Sequence, residues 1–257
     1  MPNTETLFTP TQKEVMDLMW ETKTEAKVRR RVGNHEEGMW FEEVVRPTSP
    51  IDFAQNGEFA LKLHETKPEA PLSPYYVNLR GLPENLLIKV AEAIAESTEE
   101  TGAEVCVGIP NAGDPIAEKF SAITNIPIVK IFGKAESASS RKIVPSTSAP
   151  RGVRRLSNLL LIDDLVTEAG TKFEAAQVAE GLGYNIAGIA ILVDRQQGGR
   201  EQLETKGYKL FAPLPISGVF EYYLSTGRID QRKYSECMSY LNAARTESNL
   251  PQLELVI

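Results

Sequence analysis

Length, composition and charge limit the classes of protein to which this chain can belong. It has 257 residues, 42% of them hydrophobic and 25% charged, as in an ordinary globular protein with one sizeable core. The formal net charge of -7 argues against a nucleic-acid-binding protein, because binding a phosphate backbone needs a concentrated positive surface. Small phosphorylated ligands are not excluded, since backbone N–H groups and a bound cation can hold them.

Cysteine usage and the lack of long apolar runs predict the compartment. Cys106 and Cys237 are far apart, which favours a reduced, intracellular protein. The first residues show no basic start followed by an apolar stretch, and no run of about 18 apolar residues occurs. We therefore expect a cytoplasmic protein that does not bind a membrane.

Residues 1–50 differ in character from the rest and are predicted to be an N-terminal extension of a main domain at 51–257. They contain an amphipathic stretch at Gln12–Trp20 and three consecutive arginines at 29–31. The arginines are open to two interpretations, a solvated face or a nucleic-acid site. We favour the solvated face, because no second basic patch supports nucleic-acid binding.

From residue 83 onwards the hydrophobic pattern alternates between helical and strand periods. Such alternation predicts an α/β fold with a parallel sheet flanked by helices. Residues 134–155 are rich in Ser, Lys and Arg and predict a mobile loop or an extended hairpin. In chain order the predicted elements are a helix at Pro83–Thr98, strand Glu104–Ile109, helix Asp114–Ile123, strands Ile126–Ile131 and Leu159–Ile162, helix Gly170–Leu182, strand Ile186–Val193, and C-terminal helices through Phe220–Leu224 and Tyr234–Leu241.

The most informative segment runs from Leu159 to Thr171. Four apolar residues lead directly into Asp163 and Asp164, and a loop of small residues then opens a helix. Ligands of open parallel sheets bind outside the carboxyl ends of the strands, so this segment is expected at a site. The loop is suited to wrap a phosphate with its amides and hydroxyls, and its residues are Thr167, Glu168, Ala169, Gly170 and Thr171.

The two aspartates would repel a phosphate, so their natural partners are ribose hydroxyls or a hydrated Mg²⁺. The same pattern is open to other interpretations. Paired aspartates also cap helices, and receiver domains and phosphate-transferring hydrolases place acidic residues at strand ends as well.

The Asp-Asp loop is similar to the signature of the type I phosphoribosyltransferases, and two further segments resemble the orotate branch of that family. These are Gly57–Lys62 together with Ser73–Arg80, and Val193–Arg200. The resemblance implies the type I phosphoribosyltransferase fold with a small N-terminal substrate-side subdomain. It also implies that the acidic pair contacts the ribose of phosphoribosyl pyrophosphate, that the loop cradles its 5-phosphate, and that the protein is a homodimer.

The resemblance assigns the other ligand contacts by position. It places Asn111, Ala112 and Gly113 at the pyrophosphate, although a plain strand-to-helix turn explains the same residues. Four residues are expected on the side of the base, where Arg195 suits the carboxylate of orotate. They are Lys62, Tyr75, Tyr76 and Arg195. The alternatives are that Lys62 is a solvated strand lysine, that one of the two tyrosines packs in the core, and that Arg195 forms a salt bridge with Asp194 or Glu201.

The chain departs from the family pattern in the catalytic loop. Gly133 and Ser137 stand where the resemblance implies an arginine and the catalytic lysine, so Lys134, Arg141 and Lys142 are the candidate cations for the leaving pyrophosphate. Glu168 also adds a carboxylate to the phosphate loop.

The resemblance implies a Mg²⁺-dependent glycosyltransferase of pyrimidine nucleotide synthesis, which transfers a phosphoribosyl group to orotate or a related base and releases pyrophosphate. The alternative is a catalytically impaired regulatory module that binds a phosphoribosyl ligand.

Overall fold

The computed structural model describes residues 8–32, 40–54, 59–61, 64, 70–134, 143–146 and 157–255. Packing divides them into two compact units. The first unit comprises residues from 16–82 and 217–255, and the second comprises residues from 8–15 and 83–216. The predicted division at residue 50 is not tested by this grouping and stays a prediction.

The described residues form helices and strands as follows. The helices are α1 (Pro10–Glu21), α2 (Glu84–Thr98), α3 (Gly113–Thr124), α4 (Gly170–Gly181), α5 (Gly199–Thr205), α6 (Ile216–Ser225) and α7 (Gln231–Glu247), with a 3₁₀ turn at Glu99–Thr101. The strands are β1 (Thr24–Val32), β2 (Trp40–Thr48), β3 (Ile51–Phe53), β4 (Tyr75–Val77), β5 (Val105–Gly108), β6 (Phe132–Lys134), β7 (Ile143–Pro145), β8 (Asn158–Val166), β9 (Asn185–Asp194), β10 (Leu210–Phe211) and β11 (Leu214–Pro215).

The second unit is built on a parallel sheet in the order β10-β9-β8-β5, with β11 also paired to β9. One face of its central strand β8 contributes Leu159 and Leu161 to a core that also holds Ala175, Ala176 and Ala179 of α4. Small residues on α4 let the helix lie close to the sheet. The predicted α/β class with a parallel sheet and flanking helices is confirmed.

The predicted helices at Pro83–Thr98, Asp114–Ile123 and Gly170–Leu182 correspond to α2, α3 and α4, and both C-terminal helices are present as α6 and α7. Gly183 has φ +93°, the left-handed conformation expected just beyond a helix end. In the segment predicted as a loop or hairpin, β6 and β7 pair antiparallel. This finding supports a hairpin for the described part of the segment.

The predicted strand at Ile126–Ile131 is wrong as a regular element. The segment lies beside β5 and exchanges two backbone hydrogen bonds with Cys106, each 2.9 Å long, from Cys106 to Pro127 and from Val129 to Cys106. These bonds make a single parallel bridge between Cys106 and Ile128. Pro127 has no N–H to donate, which limits the length of a ladder here.

Strand β8 extends beyond its predicted end at Ile162 as far as Val166. Asp163 therefore pairs with Ile191 in the register of the sheet, and Val166 pairs with Asp194. The two aspartates lie inside the strand rather than after it. This correction matters because successive side chains of a strand point to opposite faces of the sheet.

The first unit has an aromatic core. Tyr223 packs on Trp20 with ring centroids 5.1 Å apart, and its hydroxyl donates to the Met16 carbonyl at 2.9 Å. Asp17 accepts a hydrogen bond from the Tyr222 hydroxyl at 2.7 Å and pairs with Arg228 at 2.8 Å. These contacts fix the second half of α1 against α6.

The β1–β2 hairpin of this unit carries the arginine cluster. Arg29 pairs with Glu43 at 3.0 Å and Arg30 with Glu42 at 2.8 Å across the two strands. Opposite charges placed across an antiparallel pair stabilise the hairpin and reduce its positive field, which supports the interpretation of a solvated face. Among the described helices, none has both the length and the apolar character of a membrane span.

Candidate functional site

The acidic pair at the carboxyl end of β8 is divided between two environments. Asp163 is buried, with 5% of its surface exposed, and its Oδ2 lies 2.8 Å from Nζ of Lys172, which is 7% exposed. Lys172 stands in the first turn of α4. Its charge offsets that of Asp163 inside the protein, where an unpaired carboxylate would be costly.

Asp164 is less buried than Asp163, and its Oδ1 accepts the Leu165 amide hydrogen at 2.7 Å. Burial, together with the neighbouring Asp163 carboxylate, raises the pKa of Asp164 to about 7. A carboxyl group of this kind can accept hydrogen bonds when ionised and donate one when protonated.

The predicted phosphate loop forms a bend of three residues, 167–169, between β8 and α4. Gly170 and Thr171 are exposed at the first turn of α4, a 12-residue helix whose positive dipole end points into the bend. Glu168 is exposed as well, so its carboxylate is not enclosed in the loop. Thr167 is partly exposed, whereas Ala169 is fully buried.

A residue that the sequence did not single out closes one side of this loop. Oε1 of Gln202, in α5, accepts the Ala169 amide hydrogen at 3.0 Å. Gly199, at the start of α5, is so close to the loop that an added Cβ would lie 2.9 Å from the Thr167 carbonyl oxygen and 2.5 Å from Val166 Cγ2. Nothing in the spacing of Gln202 points to this contact, because it depends on how α5 packs.

The turn predicted for pyrophosphate connects β5 to α3. The peptide bond between Pro110 and Asn111 is cis, Asn111 is exposed, and Ala112 is partly exposed. The Gly113 amide donates to the Ile109 carbonyl at 3.0 Å, so it closes the turn itself. A Cβ on Gly113 would lie 2.1 Å from the Ile162 carbonyl oxygen, so glycine is needed here for the approach of α3 to β8.

The segment after β9 reaches the same edge of the sheet. Arg195 is buried, and its amide donates to the Val166 carbonyl at 3.0 Å. The Asp194 carboxylate is bound by Arg200 at 2.8 Å and accepts the Gln196 amide hydrogen at 2.8 Å. Asp194 therefore forms an ion pair with Arg200.

The two tyrosines of the predicted base site belong to the first unit and differ in exposure. Tyr75 is fully buried and packs edge-on against Phe220, with centroids 4.8 Å apart. Its burial favours the core-packing alternative. Tyr76 is partly exposed, packs against Phe59 at 5.5 Å, and is the tyrosine of the pair that keeps an accessible surface.

Three of the predicted cations, Lys62, Arg141 and Lys142, lie outside the described residues, as does Ser137. The backbone of Lys134 ends β6. Their roles stay predictions.

The described residues contain no group of three or more His, Cys, Asp and Glu side chains that could hold a metal ion. This donor set fits a cation that takes most of its ligands from substrate oxygens and water, as Mg²⁺ commonly does. Asp164 is the carboxylate of the pair that could contribute, since Asp163 is bound to Lys172.

Known proteins resemble this chain in sequence and in fold. It is 31% identical to orotate phosphoribosyltransferase of Pyrococcus abyssi over 153 residues, which cover 58% of this chain and 81% of that protein. The structure of Leishmania donovani UMP synthase superposes with a TM-score of 0.61 and 24% identity over 76% of this chain and 40% of that one. Mycobacterium tuberculosis orotate phosphoribosyltransferase in complex with 5-phospho-α-D-ribosyl 1-diphosphate gives a TM-score of 0.52 and 17% identity over 84% of this chain and 95% of that one.

The chain matches no protein-family model. The two solved structures support the fold alone, which confirms the expected type I phosphoribosyltransferase architecture. The identity to the Pyrococcus abyssi protein extends over most of that relative, and the chain therefore belongs to the orotate phosphoribosyltransferase family.

Proposed function

We propose that this protein transfers a phosphoribosyl group from phosphoribosyl pyrophosphate to orotate, in a Mg²⁺-dependent reaction that releases pyrophosphate. The observation that carries the proposal is the arrangement at the end of β8, where a partly exposed carboxyl, Asp164, precedes a short loop and the positive end of α4. A sugar phosphate requires an acceptor for its hydroxyls beside a site for its anion, and this order supplies both.

The chain's own groups would act as follows. The amides and hydroxyls at the start of α4 bind the 5-phosphate, and Asp164 accepts hydrogen bonds from the ribose. As the bond at the anomeric carbon breaks, positive charge develops on the ribose and negative charge on the leaving pyrophosphate. The ribose charge is stabilised by the nearby carboxylate, and the pyrophosphate charge by Lys134, Arg141 or Lys142. Bound Mg²⁺ would neutralise part of the pyrophosphate charge.

The base-side assignment rests on Arg195, Lys62 and Tyr76. A guanidinium matches the planar carboxylate of orotate with paired hydrogen bonds. An aromatic ring face suits a planar base. A homodimer and a cytoplasmic location are further expectations of the same proposal.

The test is a direct assay. Purified protein with phosphoribosyl pyrophosphate, Mg²⁺ and orotate is expected to consume orotate, followed by its ultraviolet absorbance, and to form pyrophosphate in equal amount. Other pyrimidine and purine bases serve as the comparison. No turnover with any base would refute the enzymatic proposal.

A second candidate is a regulatory module that binds the same ligand without transferring it. Two observations favour it: Ser137 replaces the expected catalytic lysine, and the Ala169 amide is taken by Gln202. Calorimetry distinguishes the two, because tight binding of phosphoribosyl pyrophosphate without turnover would support the module.

A further inference from the structure

The acidic pair is flanked by a buried cation that the proposed reaction does not use. Lys172 and Asp163 are both more than nine-tenths buried, and their charged atoms are 2.8 Å apart. No assignment given above requires a lysine at this point of α4. Burying a lysine costs free energy, so a buried lysine beside one member of the acidic pair indicates a role for it at this site.

The direction of the strand explains why only one aspartate meets this lysine. Leu159 and Leu161 face the core shared with α4, and alternation along β8 puts Asp163 in the same row. Asp164 belongs to the opposite row, and it is the more exposed of the two. The ion pair therefore binds Asp163 on the α4 side of the sheet.

The geometry points to Lys172 as a positioning residue that withdraws Asp163 into a buried ion pair and leaves Asp164 as the carboxyl that contacts the sugar. This inference rests on the proposed function, because it concerns the same phosphoribosyl site. The two aspartates then have different roles rather than a shared one. Asp163 has a structural role in the ion pair, and Asp164 accepts hydrogen bonds from the ribose hydroxyls.

Lys172 also has a second consequence for the site. It stands in the first turn of α4, so its contact with Asp163 ties the start of this helix to β8. The position of the loop relative to Asp164 is therefore disturbed when one charge of this pair is left unpaired. Loss of the lysine alone leaves the Asp163 carboxylate buried without a charged partner, although its Oδ1 still accepts the Asp164 amide hydrogen at 2.9 Å, whereas loss of both charges leaves neither charge unpaired.

The experiment measures binding of two probes by calorimetry: ribose 5-phosphate, and inorganic phosphate as the probe without a sugar. Asp164→Asn is expected to weaken ribose 5-phosphate binding about tenfold, the effect of losing one hydrogen bond to a charged group, and to change phosphate binding less than threefold. The double variant Asp163→Asn with Lys172→Met removes both buried charges and is expected to keep both affinities within about threefold. Lys172→Met alone is expected to weaken ribose 5-phosphate binding more than the double variant does.

Two controls separate positioning from folding. Lys206→Met removes an exposed lysine of the same unit and is expected to change neither affinity. Lys172→Arg keeps the charge and is expected to restore most of the ribose 5-phosphate affinity lost in Lys172→Met. Circular dichroism checks that each variant is folded, and a second double variant, Asp163→Asn with Lys172→Gln, decides the question if the first is not folded.

A loss of ribose 5-phosphate binding in the double variant as large as in Asp164→Asn would overturn the inference. So would an unchanged affinity in Asp164→Asn. Wild-type protein that binds neither ribose 5-phosphate nor phosphoribosyl pyrophosphate would overturn both this inference and the proposed function. Wild-type binding with the wrong order of variants refutes the inference alone.

Discussion

Replacing Gly113 by alanine tests whether this glycine is required by packing. A Cβ at this position would lie 2.1 Å from the Ile162 carbonyl oxygen, whereas real Cβ contacts essentially never fall under 3.0 Å. The obstacle is backbone, so α3 itself must move away from β8. Overpacking of this kind costs about 1–3 kcal/mol, and we expect the upper half of that range because no flexible side chain can yield.

Gly170 provides a matched control, since it also begins a helix. A Cβ on Gly170 would meet nothing within 4 Å. Gly170→Ala should therefore leave stability unchanged or raise it by about 0.5–1 kcal/mol, because alanine loses less backbone entropy in a helix. Urea unfolding followed by circular dichroism gives the free energy of unfolding of both variants. Equal stabilities of Gly113→Ala and Gly170→Ala would refute the packing argument.

Three other predictions concern stability, reactivity and the loop. The folded state raises the pKa of Asp164 to about 7, so between about pH 4 and 7 it holds a proton that the unfolded chain has released, and the free energy of unfolding falls as pH rises through that range. The stability of Asp164→Asn relative to wild type should therefore be greater at pH 8 than at pH 5. The same difference in urea midpoint between the two proteins at both pH values would contradict this. Burial raises the pKa of Cys106 and of Cys237 to about 12, so neither thiol of the native protein should react readily with a thiol reagent at pH 8. Both thiols should react after unfolding in guanidinium. A fast reaction of either thiol in the native protein would refute its burial. Gln202→Ala removes the acceptor of the Ala169 amide hydrogen. This change should lower the free energy of unfolding by about 1 kcal/mol, measured by urea unfolding, or change the affinity for inorganic phosphate severalfold, measured by calorimetry. If neither quantity changes, the contact has no role in stability or in phosphate binding.

The alternation of helices and strands was readable from local pattern. Buried parallel strands need continuous apolar runs, and amphipathic helices need apolar residues at a 3.6 period, so both leave strong signals at Glu104–Ile109 and Pro83–Thr98. The segment at Ile126–Ile131 has the same apolar character, and yet it makes only one bridge. The apolar composition of this segment indicates that it is buried. A regular strand also needs backbone N–H donors along its length, and Pro127 has none.

The sequence by itself determined the class of fold, the strand that leads into the acidic pair, and the short loop after it, because these follow from the order of residues along one segment. Only the tertiary structure decided how the site is divided. Lys172 binds Asp163 from α4, Gln202 holds the Ala169 amide from α5, and Tyr75 is enclosed by the aromatic core. Each of these outcomes depends on a partner brought close by packing, and a local pattern carries no information about which distant side chain that partner will be.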